Sequence, residues 1–195
     1  MNLAMLDTHE LEDILLAPPA TIGSGIHCSE NAVVAYTPKG ELERATRVRH
    51  ALAAAHELLA RAAHRYIKGR SLYDSPGAAK EFLKVHFAGL EHEVFVVIYL
   101  DCQNRVIDSE ELFRGTISQT SVYPREVLKR ALHFNAAGIL FAHNHPSSGD
   151  VTESRADMLL TSTLARALAM VDVRVVDHII VSGSNTKSLA EHGLL

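Results

Sequence analysis

Residues 135–157 read NAAGILFAHNHPSSGDVTESRAD, and both the fold and most of the candidate chemistry can be approached from them. Ile139–His143 is a short apolar run bounded by polar residues, which predicts a buried strand. His143 and His145 stand two apart at its end. In extended chain, side chains at i and i+2 leave the same face, so the two imidazoles face one point and Asn144 faces the other side. Pro146 keeps His145 extended. A polar loop follows, Ser154 opens a helix, and Asp157 in the first helical turn projects back over the loop. Two imidazoles and one carboxylate, with a position left for water, are the donor set of a catalytic zinc site. The same Ser154-x-x-Asp157 is also a capping-box pattern with a purely structural job. With twelve histidines in 195 residues, one H-x-H pair is unsurprising by itself.

The pattern continues on either side. Glu93–Leu100 (EVFVVIYL) is a continuous apolar run, typical of a strand buried on both faces. Asp101–Asn104 reads as a turn and Arg105–Thr116 as a second strand with a bulge, together an antiparallel hairpin. Pro124–Ala137 reads as a helix with Val127, Leu128, Ala131 and Leu132 inward. Ser154–Met170 is a helix and Val173–Ser182 a strand, followed by a Gly-Ser-Asn turn and a short C-terminal segment. The order ββαβαβ mixes hairpin and crossover connections. It predicts an α+β, three-layer domain with helices covering a mixed sheet.

Upstream, residues 1–16 form an amphipathic stretch ended by Pro18 and Pro19, and 18–31 read as loop. A helix is expected from Glu41 to Lys68, its stripe formed by Val48, Leu52, Ala55, Leu59, Ala62 and Tyr66, with Gly69 as its cap. Residues 70–77 read as linker, and Pro76 opens a short helix through Leu83. Charge divides the chain in the same way: residues 41–70 carry seven Lys/Arg against three Asp/Glu, and residues 71–195 eleven against fifteen. The expected organisation is a small helical N-terminal region, 1–70, and a larger domain, 71–195.

Composition narrows the function classes. Apolar residues make up 47% and charged residues 22%, as in a globular domain. No stretch nears the ~18 apolar residues of a membrane span, and the acidic N-terminus lacks an export signal. Cys28 and Cys102 form no CxxC pattern and read as reduced thiols, so a cytoplasmic location is expected. The net charge of −4 gives no support to a protein that coats DNA.

Several separate blocks carry a family resemblance: EVFVVIYLD at 93–101, EELFRGTI at 110–117, YPREVLKRAL at 123–132, NAAGILFAHNHPSSGD at 135–150, SRAD at 154–157 and VDHIIVSG at 176–183. In this order they resemble the JAB/MPN (JAMM motif) metalloprotein superfamily, and within it the RadC-like branch. The match runs from about Leu83 to Leu195, with LAAAHELLAR at 52–61 resembling the tail of the RadC helical region. The resemblance implies a cytidine-deaminase-like JAB/MPN fold. It also implies a Zn²⁺ ion held by His143, His145 and Asp157, with a water in the open position. Glu93 matches the superfamily's upstream glutamate and would be the general base, and Ser154 would donate to the developing oxyanion. The implied activity is hydrolysis of an amide bond in a peptide or isopeptide substrate.

The sequence departs from the family pattern in two places. Eight residues separate His145 from Ser154 where the family has seven, with Ser147-Ser148 as the insertion and Asp150 as the alternative third ligand. The family's DNA-binding helix-hairpin-helix corresponds here to 37–43, which holds one glycine and two glutamates, a degenerate version. Residue types alone do not separate Glu93 from Glu110 or Glu111 as the base. His178 reads as a buried core histidine able to orient a ligand. Arg44, Arg47, Arg49, Arg61 and Arg65 fit either phosphate contacts or a solvated helix face. A DNA-repair-associated accessory protein and a non-catalytic MPN-like scaffold stay as alternatives.

Overall fold

A computed structural model describes residues 3–16, 38–72, 76–115, 121–146 and 149–195. The loop expected at 18–31, with Cys28, and the serines at 147–148 lie outside the described residues. Contacts divide the chain into two units, Met1–Arg61 and Ala62–Leu195.

In the first unit a 3-10 turn, Leu3–Met5, precedes α1 (Thr8–Leu16). Asp7 and Glu10 exchange side-chain bonds with each other's backbone N–H at 2.8 Å, so reciprocal capping opens this helix. Leu11 is buried. Helix α2 (Pro38–Ile67) starts three residues before Glu41, and residues 38–43 of the segment matched to the family's hairpin lie in its opening turns. The larger residues of the apolar stripe are exposed. Val48 is 50% exposed, Leu52 65%, Leu59 60% and Tyr66 56%, whereas Ala54 and Ile67 are the buried ones among the described α2 side chains. Eight alanines spread around this helix explain the difference. An alanine face packs closely without any large side chain, so the larger residues mark a stripe without marking the side that packs. Arg61 is engaged locally, bonding Glu57 at 2.8 Å and the Leu6 carbonyl at 2.7 Å.

The second unit is built on a five-stranded mixed sheet flanked by helices, the α+β architecture expected. Its elements are α3 (Pro76–Phe87), β1 (Val94–Leu100), β2 (Val106–Arg114), α4 (Pro124–His133), β3 (Gly138–Asn144), α5 (Arg155–Ala169), β4 (Arg174–Ser182) and β5 (Asn185–Ser188). The strand order is β2-β1-β3-β4-β5. Only β3 and β4 run parallel, joined by the α5 crossover. Strand β1 is buried along its whole length, as its unbroken apolar run requires.

Alternation along β1 feeds two cores. Val94, Val96, Ile98 and Leu100 pack with Phe82, Leu83 and Phe87 of α3 and with Ile67. Phe95, Val97 and Tyr99 pack with Val127 and Ala131 of α4 and Leu164 and Leu168 of α5. This gives three layers: α3, sheet, then α4 and α5.

Several boundaries differ from expectation. Helix α3 runs one turn past Leu83 and so brings Phe87 into the core. Helix α4 stops at His133, not Ala137, because Asn135 takes a left-handed φ of 48°. Leu132, expected inward, is 54% exposed in that last turn. The β1–β2 register shifts twice, leaving Ile107 and Leu112 as extra residues; the expected bulge is doubled. A fifth strand, β5, follows the Gly183-Ser184 turn and pairs with β4. Gly138 opens β3 where a Cβ would lie 3.1 Å from Val176 Cγ2 of β4, so a side chain there would require Val176 to give way by a few tenths of an ångström.

Leu52→Ala should change unfolding stability by less than ~0.5 kcal/mol, while Ile67→Ala should cost about 2–5 kcal/mol. Urea denaturation of both variants compares an exposed stripe position of α2 with a buried one. A large loss at Leu52 would mean that the larger residues carry the packing after all.

Candidate metal centre

The C-terminal end of β3 is held from both sides. On one side, the Asn144 side chain accepts from Val94 N–H at 2.7 Å and donates to the His92 carbonyl at 3.0 Å. On the other side, His145 N–H donates to the Val181 carbonyl and Ser182 Oγ to the His145 carbonyl, each at 2.8 Å. The strand therefore keeps its pitch beyond its last paired residue, and His143 and His145 emerge on one face, the α5 side of the sheet. Their Nε2 atoms are 3.1 Å apart.

Helix α5 supplies the third group. Ser154 is its N-cap, with a side chain that accepts from Asp157 N–H at 3.1 Å, and Asp157 Oδ2 accepts from Ser154 N–H at 2.7 Å. The other oxygen, Oδ1, lies 3.4 Å from His143 Nε2. The capping and ligand readings of Asp157 thus hold together, one oxygen for each. The approach to this helix is held by the ion pair of Lys187 on β5 with Glu153.

His143, His145 and Asp157 offer ligand atoms that all lie within 4.8 Å of one another. His145 Nδ1 is 3.0 Å from the Asp150 carbonyl, which only accepts, so the neutral ring carries its proton on Nδ1 and leaves Nε2 as a donor atom to a metal. Two imidazole nitrogens and one carboxylate oxygen fit a divalent transition metal by type and number. The longer loop does not keep Asp157 away. Asp157, not Asp150, joins the two histidines in this cluster; Asp150 Oδ1 accepts from Thr152 N–H at 2.9 Å and Oγ1 at 2.7 Å, and its carbonyl meets His145.

His178 is completely buried. Its ring makes edge contacts with Phe95 and Phe141. Its Nε2 is 2.8 Å from His143 Nδ1 and its Nδ1 is 2.6 Å from Thr161 Oγ1. It is therefore both a core residue and a partner of the ligand set. Thr161 has no signal in the sequence, because its role depends on how α5 lies against β4. Burial pushes the His143 imidazole down to about 4, with Asp157 opposing and His145 reinforcing. Burial, then His143 and His145, hold His178 well below the usual histidine range.

The three glutamates sit apart. Glu110 on β2 bonds Arg130 and accepts from the Tyr99 hydroxyl at 3.1 Å. Glu111 faces His86 at 3.1 Å, and that contact holds its carboxyl below the usual range. Glu93 immediately precedes β1, two residues before Phe95, the register partner of His143. By strand alternation it leaves the same face as the two histidines. A cleft of about 450 Å³ opens beside His145, lined by Phe87, Leu90, Glu91, Asn144, Pro146 and Val181. No helix among the described residues is long and apolar enough to cross a membrane.

The family model described as RadC-like JAB domain matches residues 73–194. A UPF0758 protein of Nitrosospira multiformis is 56% identical over 144 residues, covering 74% of this chain and 64% of its own length. A UPF0758 protein of Acidovorax sp. (strain JS42) is 56% identical over 144 residues, covering 74% of this chain and 60% of its own. A third, of Polaromonas sp. (strain JS666 / ATCC BAA-500), is 48% identical over 170 residues, covering 87% and 73%. The chain thus spans a little under two thirds of the first two relatives.

The depressed His143 and His178 set a pH dependence. Both rings are neutral in the fold and titrate normally, near 6.5, when unfolded, so below that pH the unfolded chain binds more protons. Stability of the metal-free protein should be complete above about pH 7 and fall as pH drops from ~6.5 to ~5. The slope should approach two protons, about 2.7 kcal/mol per pH unit. Urea titrations at a series of pH values test this; a flat profile would show that the rings are not held neutral.

Proposed function

The chain belongs to the RadC-like JAB domain family, and on that premise we propose that it is a zinc-dependent, JAMM-type metallohydrolase that cleaves an amide bond in a peptide or isopeptide substrate. The observation that carries the reading is the convergence of His143 Nε2, His145 Nε2 and Asp157 Oδ1 on one point. Those three would hold zinc. Bound there, zinc supplies Lewis acidity and lowers the pKa of a coordinated water toward ~7.

The remaining roles belong to side chains of this chain. Glu93 is the general base that takes a proton at its carboxylate and delivers it to the leaving amine. Two observations favour it over the other candidates. Glu110 and Glu111 stand on β2, a strand that does not pair with β3. The Asn144 amide also grips the backbone on both sides of Glu93, at His92 and Val94. Ser154 Oγ accepts from Asp157 N–H, so its hydroxyl hydrogen is the one it can offer a developing oxyanion. The reading places the reaction in the cytoplasm.

Metal analysis of the purified protein should find about one zinc per chain, absent from the His143→Ala, His145→Ala double variant. Glu93→Gln should keep the zinc and lower amide hydrolysis by about 10²–10⁴-fold on peptide and isopeptide-linked substrates. Failure of the wild type to bind zinc after reconstitution would remove the hydrolase reading. Full activity in Glu93→Gln would remove the base assignment alone.

A further inference from the structure

Behind His143 lies a row of hydrogen bonds that ends on α5. Thr161 Oγ1 is 2.6 Å from the Asp157 carbonyl, four residues back along the helix. A carbonyl only accepts, so the hydroxyl must donate there, and it has no second proton. The 2.6 Å contact of Thr161 Oγ1 with His178 Nδ1 therefore requires His178 to be the donor. A ring buried completely between Phe95 and Phe141, with no carboxylate against it, is neutral. Its proton is on Nδ1, so its Nε2 accepts. The 2.8 Å contact with His143 Nδ1 then makes His143 the donor. Each step leaves one choice for the next, and the last choice is the position of the proton on a candidate metal ligand.

We propose that Thr161 and His178 are positioning residues that lock His143 in its Nδ1–H tautomer and so keep Nε2, the atom facing His145 and Asp157, available to a metal. This rests on the metal reading of His143, His145 and Asp157. It goes beyond that reading in naming the two residues that act through His143 and the direction in which they act. A neutral imidazole in water favours the opposite tautomer, with the proton on Nε2, so the tautomer of His143 reports on the row itself. With His145 set the same way by the Asp150 carbonyl, the 3.1 Å approach of the two Nε2 atoms has no proton between them. It is a pair of lone pairs converging on a cation site. The Asp157 oxygen 3.4 Å away adds a third.

The row also links two ligands to each other. Asp157 offers Oδ1 to the site and its own carbonyl to Thr161, while His143 is oriented from the far end of the same row. Removing the Thr161 hydroxyl would free His178 to carry its proton on Nε2 and donate to His143, which would push the His143 proton onto the ligand atom. This cost is specific: the change deletes no metal ligand and nothing from the cleft.

The test is two-bond ¹H–¹⁵N correlation of the histidine rings in metal-free protein at neutral pH, with zinc affinity measured by calorimetry on the same samples. In the wild type, His143 and His178 should both carry the proton on Nδ1. Thr161→Val should shift His143 toward the Nε2–H form and weaken zinc binding about 10–100-fold, and Thr161→Ser should restore both. His178→Phe, checked for folding by thermal melting, should weaken zinc binding to a similar extent. A wild-type His143 protonated on Nε2 would overturn the proposal, as would a Thr161→Val protein with unchanged tautomers and affinity. The ring spectra are read without metal, so a wild type that bound no zinc would count against the hydrolase reading while the tautomers still decided this one.

Discussion

Asp157 divides its carboxylate between the fold and the site, and the arrangement of the second unit depends on that division. One oxygen closes the capping box that starts α5; the other faces His143. The helix cannot slide or rotate on the sheet without moving a candidate ligand, and the ligand cannot swing away without uncapping the helix. The Lys187–Glu153 pair holds the residue before the cap from the β5 side. The site is therefore built on the junction of a strand end and a helix start, each already fixed for reasons of backbone hydrogen bonding. This is a rigid support of the kind that ligand geometry requires.

Much of this junction is legible in the sequence because it is local. The two-residue period of a strand places His143 and His145 on one face, and a first-turn position places Asp157 near them. What is not legible comes from across the chain. The contacts of His178 follow from the parallel pairing of β3 with β4, and Thr161 joins through the packing of α5. The extra loop residue left Asp150 open as a ligand until the backbone showed that its carbonyl, not its carboxylate, meets the histidine. The three glutamates could not be ranked by type; their neighbours separate them. Strand β5 (NTKS) has no apolar alternation to announce it, since only its pairing with β4 makes it a strand.

Helix α2 shows a different failure of periodicity. Its larger apolar residues keep a regular spacing and yet stand in water, while alanine supplies the buried position in the first unit. A moment computed from hydrophobicity weights side-chain size. Packing at a helix face rewards close approach, which small residues allow. In an alanine-rich helix the two quantities can differ, as they do at Leu52 and Ala54.

The direction of the hydrogen-bond row behind His143 has one more consequence. It ends on a peptide carbonyl, which has no proton to give and no useful basicity with which to keep one. The row is a dead end for proton traffic: it can hold a ring still, but it cannot carry charge between the site and the interior. Any proton exchanged at His143 has to leave by another way than through His178 and Thr161. The interior face of the centre is a mounting: it fixes the ring of His143 and takes no part in exchange.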